Sequence, residues 1–305
     1  METGIGQEHL YYACKLFGEF HYEPGNTTPK GTATGFVVQG PDKRTLGLVT
    51  NRHFIEPGWS DELKEGTKLT KLRASIWLTS DDRIETDIVA EPIFHDDPTI
   101  DACIFPLLPG HLLRVDLYGI AGRTEGAHKW ADGLKQGGDA AIQLKHYVSW
   151  GHLDISAWYW NTVAPCESLF FPGYPAWHDK SADRPIMRTG AIVSDPKESW
   201  RLYADGPKPG DGSLQVLFDA FSSDGNSGSP VFVSQRGFRN AGEMSHYVGA
   251  YRPMILGGIN AGHIEDHKSR HVGLSRMHKV SVIVDLARKM VDSLPNSGPR
   301  DGLSL

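Results

Sequence analysis

At 305 residues, with 39% hydrophobic and 22% charged residues, the chain has enough apolar content for one large domain or two small ones. Its formal net charge of −6 gives no basic footprint for nucleic acid or an anionic membrane surface. No apolar run approaches the ~18 residues of a membrane span. The first nine residues lack both a basic and an apolar leader stretch. Three widely spaced cysteines (Cys14, Cys103, Cys166) argue against a disulfide framework. The expected location is the cytoplasm.

Residues 1–30 mix aromatic-rich segments with the loop Pro24-Gly25-Asn26-Thr27-Thr28-Pro29 and read as an N-terminal arm or short helix. From residue 31 the texture becomes that of strands. Thr32 to Gln39 is short and β-branched and ends in the Gly40-Pro41-Asp42 turn. Leu46 to Thr50 is a second strand that delivers Asn51-Arg52-His53. Leu72 to Thr79 and Ile84 to Ala90 read as a hairpin around Ser80-Asp81-Asp82, and Ala102 to Leu108 follows Asp101 as a buried strand. Short strands separated by turns indicate an antiparallel barrel or sandwich. Residues 109–165 break this rhythm with glycines and a Trp150–Trp160 aromatic run, which reads as a partly helical interdomain insertion. Strand texture returns at 168–171, 186–194, 214–220, 231–234, 254–261 and 271–277. Val280, Ile283, Val284, Ala287, Met290 and Val291 then recur at helical spacing.

The chemistry gathers in three places. Ser222-Ser223-Asp224-Gly225-Asn226-Ser227-Gly228-Ser229-Pro230 frames one serine with glycines that allow a sharp turn and leave room beside its hydroxyl. Such a turn can aim successive backbone N–H groups at one point. His53 ends an apolar strand. Asp101 enters another, where a desolvated carboxylate needs a partner such as a histidine N–H. Together, in the order His, Asp, Ser, they are the parts of an activated nucleophile.

These segments resemble the trypsin/chymotrypsin-like serine peptidases, nearest in texture to bacterial intracellular and stress-type members. The matching stretches are Gly31-Thr32-Ala33-Thr34-Gly35-Phe36-Val37-Val38, Leu48-Val49-Thr50-Asn51-Arg52-His53, Ile100-Asp101-Ala102-Cys103-Ile104, Phe171-Pro172-Gly173-Tyr174-Pro175, Thr189-Gly190-Ala191-Ile192-Val193-Ser194, Gly225-Asn226-Ser227-Gly228-Ser229-Pro230 and Gly257-Gly258-Ile259-Asn260. The resemblance implies an all-β fold of two packed six-stranded antiparallel barrels. The first spans 31–108 and the second 166–277, with the insertion at 109–165 and a C-terminal helix and tail at 278–305. It further implies that His53 is the general base, Asp101 its orienting acid and Ser227 the nucleophile, with the Gly225 and Ser227 N–H groups as oxyanion hole. The activity so implied is cleavage of protein or peptide substrates, with no metal or other cofactor.

One departure stands out. Where members activated by N-terminal trimming carry aspartate before the nucleophile, this chain has Asn226, which cannot pair with a freed amino terminus. Ordering of the loop by a partner is the expectation that follows. Counting back from Ser227 puts the specificity-pocket floor at Phe221 and Ser222, with a wall at Ile259, Asn260 and Ala261. With no acid there, Lys or Arg preference is not expected, and Phe221 suggests a shallow apolar pocket. A regulatory partner would dock through residues 109–165 or the arm, provided that Trp150, Trp158, Tyr159 and Trp160 form one exposed patch. His263, His267 and His271 read as a surface loop rather than a metal site, Asp96 and Asp97 as weaker orienting acids than Asp101, and Cys103 and Cys166 as small core residues. The competing reading is a silent member of the same fold that serves as a binding module.

Overall fold

The strand runs assemble into two antiparallel units in a computed structural model, which describes residues 6–23, 25–108, 112–119, 144–237, 251–265 and 271–294. The N-terminal unit contains β1 (Ala13–Tyr22), β2 (Lys30–Gln39), β3 (Leu46–Thr50), β4 (Thr67–Trp77), β5 (Asp82–Ile88), β6 (Ile93–Phe94), β7 (Cys103–Pro106) and β8 (Leu112–Gly119). They form an eight-stranded sheet in the order β6-β7-β3-β2-β1-β4-β5-β8. The C-terminal unit is a closed six-stranded barrel of β9 (Ser168–Gly173), β10 (Ile186–Ile192), β11 (Gln215–Asp219), β12 (Pro230–Val233), β13 (Ile255–Glu265) and β14 (His271–Lys279). Among the described residues three α-helices accompany them: α1 (Arg52–Ile55), α2 (Trp150–Tyr159) and α3 (Val280–Ser293).

The all-β architecture, the hairpin at 80–82 and the C-terminal helix agree with the sequence pattern. The first unit differs in detail. It is an eight-stranded sheet rather than a closed six-stranded barrel, and it recruits strands from both flanking segments. Residues 13–22, expected in an arm, are its middle strand, paired through Leu16 to Ala33 on one side and Ala74 on the other. Lys15 obscured this strand: it is buried in the run, and its ammonium group is neutralised by Asp183 at 2.5 Å. Residues 112–119, expected in the insertion, add β8 to the edge of β5. The helical part of that segment is α2, whose Ser149 cap accepts from the His152 N–H.

Alternation explains how the two units join. In β2, Ala33 and Val37 face the first unit's own core with Leu16, Leu48, Ile76 and Phe105, whereas Phe36 and Val38 face the second core. That second core holds Phe170, Phe171, Phe218 and Phe232 of the barrel and also receives Val49, Ile104 and α3's Ile283, Leu286 and Met290. β2, β3 and β7 are therefore buried on both faces, so their sequences read as continuous apolar runs rather than alternating ones. Each fully buried phenylalanine contributes about 1.5–3 kcal/mol. The seam strands end where His53 and Asp101 stand.

Candidate active site

β3 ends at Thr50, and the chain turns through Asn51 into the single turn of α1, which carries His53. Asp101 lies just before β7, the strand that pairs with β3 through Thr50 and Cys103. This pairing brings the two residues together across 48 positions of sequence. Asp101 Oδ2 lies 2.6 Å from His53 Nδ1, and Oδ1 accepts from the His53 backbone N–H at 2.9 Å. The remaining polar atoms of Asp101 are also held: its carbonyl accepts from Asn51 Nδ2 at 2.7 Å, and its N–H donates to His278 Nε2 at 3.0 Å. Burial works to raise the Asp101 carboxyl. The charge and hydrogen bonds of His53 outweigh it, and the group titrates below the usual carboxylate range. With Nδ1–H donated to the carboxylate, the neutral imidazole of His53 has Nε2 as its free acceptor. The ring is one-third exposed.

His278 comes from β14 in the opposite unit and is fully buried. Its Nδ1 lies 3.1 Å from the Ser213 carbonyl, which fixes Nε2 as the acceptor for Asp101. Burial drives its pKa down to about 4 against the opposing pull of Asp101, with Arg276 adding to the depression. No motif marked this residue in the sequence.

Ser227 stands half-buried in the turn between β11 and β12. Gly225 and Gly228 have φ of 91° and 88°, left-handed values that favour glycine. A Cβ on Gly225 would collide with the Tyr174 carbonyl, and one on Gly228 with the Thr34 carbonyl. The turn is laced to β2: Thr34 N–H donates to the Ser227 carbonyl at 2.9 Å, and Thr34 Oγ1 donates to the Gly225 carbonyl at 2.6 Å. Asn226 N–H donates to Ser223 and Gly228 N–H to Asn260, both at 2.9 Å. The N–H groups of Gly225 and Ser227 donate to no acceptor among the described residues. Thr34 was legible only as a strand residue and Tyr174 only as part of a matching stretch, because their hydrogen bonds reach partners 191 and 140 residues away. Asn226 is buried, and neither of its amide atoms has a hydrogen-bond partner among the described residues.

The residues expected around a specificity pocket fall into separate surroundings. Ser222 and Asn260 meet: Asn260 Nδ2 donates to Ser222 Oγ at 2.9 Å and to the Asn226 carbonyl at 2.8 Å, so both residues brace the turn. Ile259 is in the barrel core. Ala261 is buried, and its carbonyl accepts from Arg276 Nε at 3.3 Å. Phe221 is 48% exposed, with the Arg188 guanidinium over its ring.

The other candidates are occupied elsewhere. Asp96 pairs with Lys289, and Asp97 accepts from Thr99. Cys103 is buried, and its thiol is pushed well above its ordinary value, chiefly by burial. Cys166 is exposed, contrary to the expectation of a core residue; it stands at φ 66° in the turn before β9. His263 pairs with Glu265 at the end of β13, whereas His267 and the His271 side chain lie outside the described residues. No metal-ligand cluster of three or more occurs among the described residues. The tryptophans do not form one patch: Trp160 is buried, Trp150 and Tyr159 are half-buried, and Trp158 is exposed. No described helix is long and apolar enough to cross a membrane.

Beside the turn, the segment after β9 is clamped to the first unit. Asp183 accepts from Lys15 at 2.5 Å and pairs with Arg83 of β5. Lys15 Nζ also lies 3.1 Å from His178 Nε2, and His178 Nδ1 lies 2.7 Å from the Pro175 carbonyl. Trp77 Nε1 donates to the Tyr174 hydroxyl at 2.6 Å.

The closed barrel, its companion sheet and the helix after the last strand define the fold of the chymotrypsin-like serine proteases. No family model matches the chain, and no curated protein matches it. Among solved structures the chain is similar to a thermostable serine protease, AL20, from an extremophilic microorganism, with a TM-score of 0.50 and 10% identity over 94% of this chain and 100% of that one. It is also similar to the protease Anisep from Arthrobacter nicotinovorans, with a TM-score of 0.46 and 12% identity over 94% of this chain and 98% of that one. At these identities the likeness is one of fold.

Proposed function

We propose that this chain is a serine endopeptidase that cleaves protein or peptide substrates through Ser227, His53 and Asp101. The observation that carries the reading is the buried Asp101 carboxylate held 2.6 Å from His53 Nδ1, with a glycine-framed serine on the facing unit. In this reading His53 Nε2 takes the Ser227 proton as Oγ attacks the scissile carbonyl. Asp101 stabilises the imidazolium, which then protonates the leaving amine. The two undonated N–H groups, on Gly225 and Ser227, receive the oxyanion, each worth about 3–4 kcal/mol in the transition state. Water repeats the sequence on the acyl-enzyme.

Thr34, Asn260 and Ser222 hold the turn from within the chain, supplying what a charge pair at Asn226 would supply elsewhere. This supports a turn ordered without a partner. The test is digestion of a diverse peptide library by the wild type and by Ser227→Ala, together with fluorophosphonate labelling. Cleavage and labelling that both vanish in the variant are expected. A wild type that neither cleaves nor labels would overturn the hydrolase reading and leave a binding module.

A further inference from the structure

Arg188, on β10, has its guanidinium over the Trp177 ring at 5.2 Å and over the Phe221 ring at 5.6 Å. Both rings are about half exposed, at 50% and 48%. Neither a hydrogen bond nor an ion pair engages the Arg188 side chain among the described residues. The two rings lie within cation–π distance of the guanidinium and use none of its N–H groups as hydrogen-bond donors to a carboxylate or carbonyl. The chain carries a net charge of −6, and it pairs Lys15, Arg52, Arg83, Arg236 and Arg252 with carboxylates. Among the described residues Arg188 is thus a guanidinium with aromatic neighbours and no carboxylate partner, in an acidic chain.

Its location gives this guanidinium a use. Phe221 begins the 221–229 turn that holds Ser227. Trp177 lies three residues beyond Tyr174, whose carbonyl lies against Gly225. Phe221 also points outward, while the next residue, Ser222, is buried beneath Asn260. The two rings beside Arg188 are thus carried by the segment that begins the Ser227 turn and by the segment whose Tyr174 carbonyl lies against Gly225.

We infer that Arg188, clamped by Trp177 and Phe221, binds the side-chain carboxylate of an aspartate or glutamate in the polypeptide substrate. This rests on the endopeptidase reading and adds a substrate class to it. A fork-like guanidinium edge donates two parallel hydrogen bonds to a carboxylate, which the isosteric amide of glutamine cannot match. Lysine would keep the charge and lose both the fork and the stacking.

The test uses the full chain and capped, C-terminally amidated octapeptides that carry Glu or Gln at each position in turn. At one position the wild type is expected to cleave the Glu peptide about tenfold faster in kcat/KM than its Gln twin. Arg188→Ala should bring that ratio to about one, and Arg188→Lys should restore only part of it. An equal Glu/Gln ratio in the wild type, or a ratio that survives Arg188→Ala, overturns the inference. The same library is bound to Ser227→Ala protein with and without Arg188→Ala, which separates this idea from the hydrolase reading. If no peptide is ever cut, that reading fails, and Glu-over-Gln retention lost on Arg188→Ala still upholds the receptor. Equal retention of both peptides refutes it.

Discussion

His278 offers the sharpest quantitative test of the architecture. It is a fully buried imidazole whose Nε2 accepts the Asp101 N–H across the seam. Its pKa falls from an ordinary 6.5 to about 4, first because burial penalises the charged ring. In the unfolded chain the ring takes up a proton as pH drops below 6.5. In the folded chain it refuses the proton until about pH 4. Between those values the unfolded state binds more protons, so stability must fall as pH falls, and nothing from this group is lost above 6.5. At about 1.4 kcal/mol per pH unit, the full span removes about 3 kcal/mol, and by pH 4.5 most of that is gone. Replacing His278 by Gln keeps a polar acceptor and deletes the titration. Urea unfolding of both proteins from pH 7.5 to 4.5, at constant denaturant slope, gives the comparison. Titrating groups remote from His278 cancel in the difference. The wild type is expected to lose about 2–3 kcal/mol more than His278→Gln over this range. Parallel curves would refute the claim that His278 is held neutral in the fold.

Three further outcomes follow from the packing. Gly228→Ala places a Cβ against the Thr34 carbonyl at a left-handed backbone position, and it should lower unfolding free energy by about 2–4 kcal/mol. An unchanged urea midpoint would show that the turn relaxes freely. Asp183→Ala strips the shared carboxylate from partly buried Lys15 and Arg83 and should cost about 3–5 kcal/mol in the same assay. A loss below ~1 kcal/mol would mean that the clamp is solvated. In native protein a thiol reagent should modify Cys166 alone, since Cys14 and Cys103 are buried and burial pushes the Cys14 thiol up to about 12. Rapid loss of all three thiols would contradict the packing of both buried cysteines.

Much of the fold was legible because strands advertise themselves locally. Phe36-Val37-Val38 and Ile255-Leu256 could hardly be anything but buried strands, and the helical spacing from Val280 to Val291 was clear. What stayed hidden was closure, which depends on how edge strands pair. The lysine in β1 concealed a central strand because its neutralising aspartate lies 168 residues away. The same division holds at the site. His53, Asp101 and Ser227 each sit in a recognisable short motif, and the structure brings His53 and Asp101 together. His278 and Thr34 act through hydrogen bonds that span as many as 177 and 191 residues, and no local pattern encodes such a bond. The outward turn of Phe221 was likewise invisible, since it depends on which face of a loop the barrel leaves uncovered.

Thr34 carries one last consequence. It is a residue of the first unit, yet it closes the Ser227 turn of the second through both its N–H and its hydroxyl, and its hydroxyl oxygen accepts the Tyr174 N–H at 3.0 Å. The geometry around Ser227 therefore belongs to neither half alone. β2 emerges during synthesis long before the turn it will lock, so a finished chain whose halves have not yet docked holds every reactive side chain and lacks the arrangement. Under the proposed function, a newly made molecule would stay chemically inert towards its neighbours until docking of the two halves switches it on.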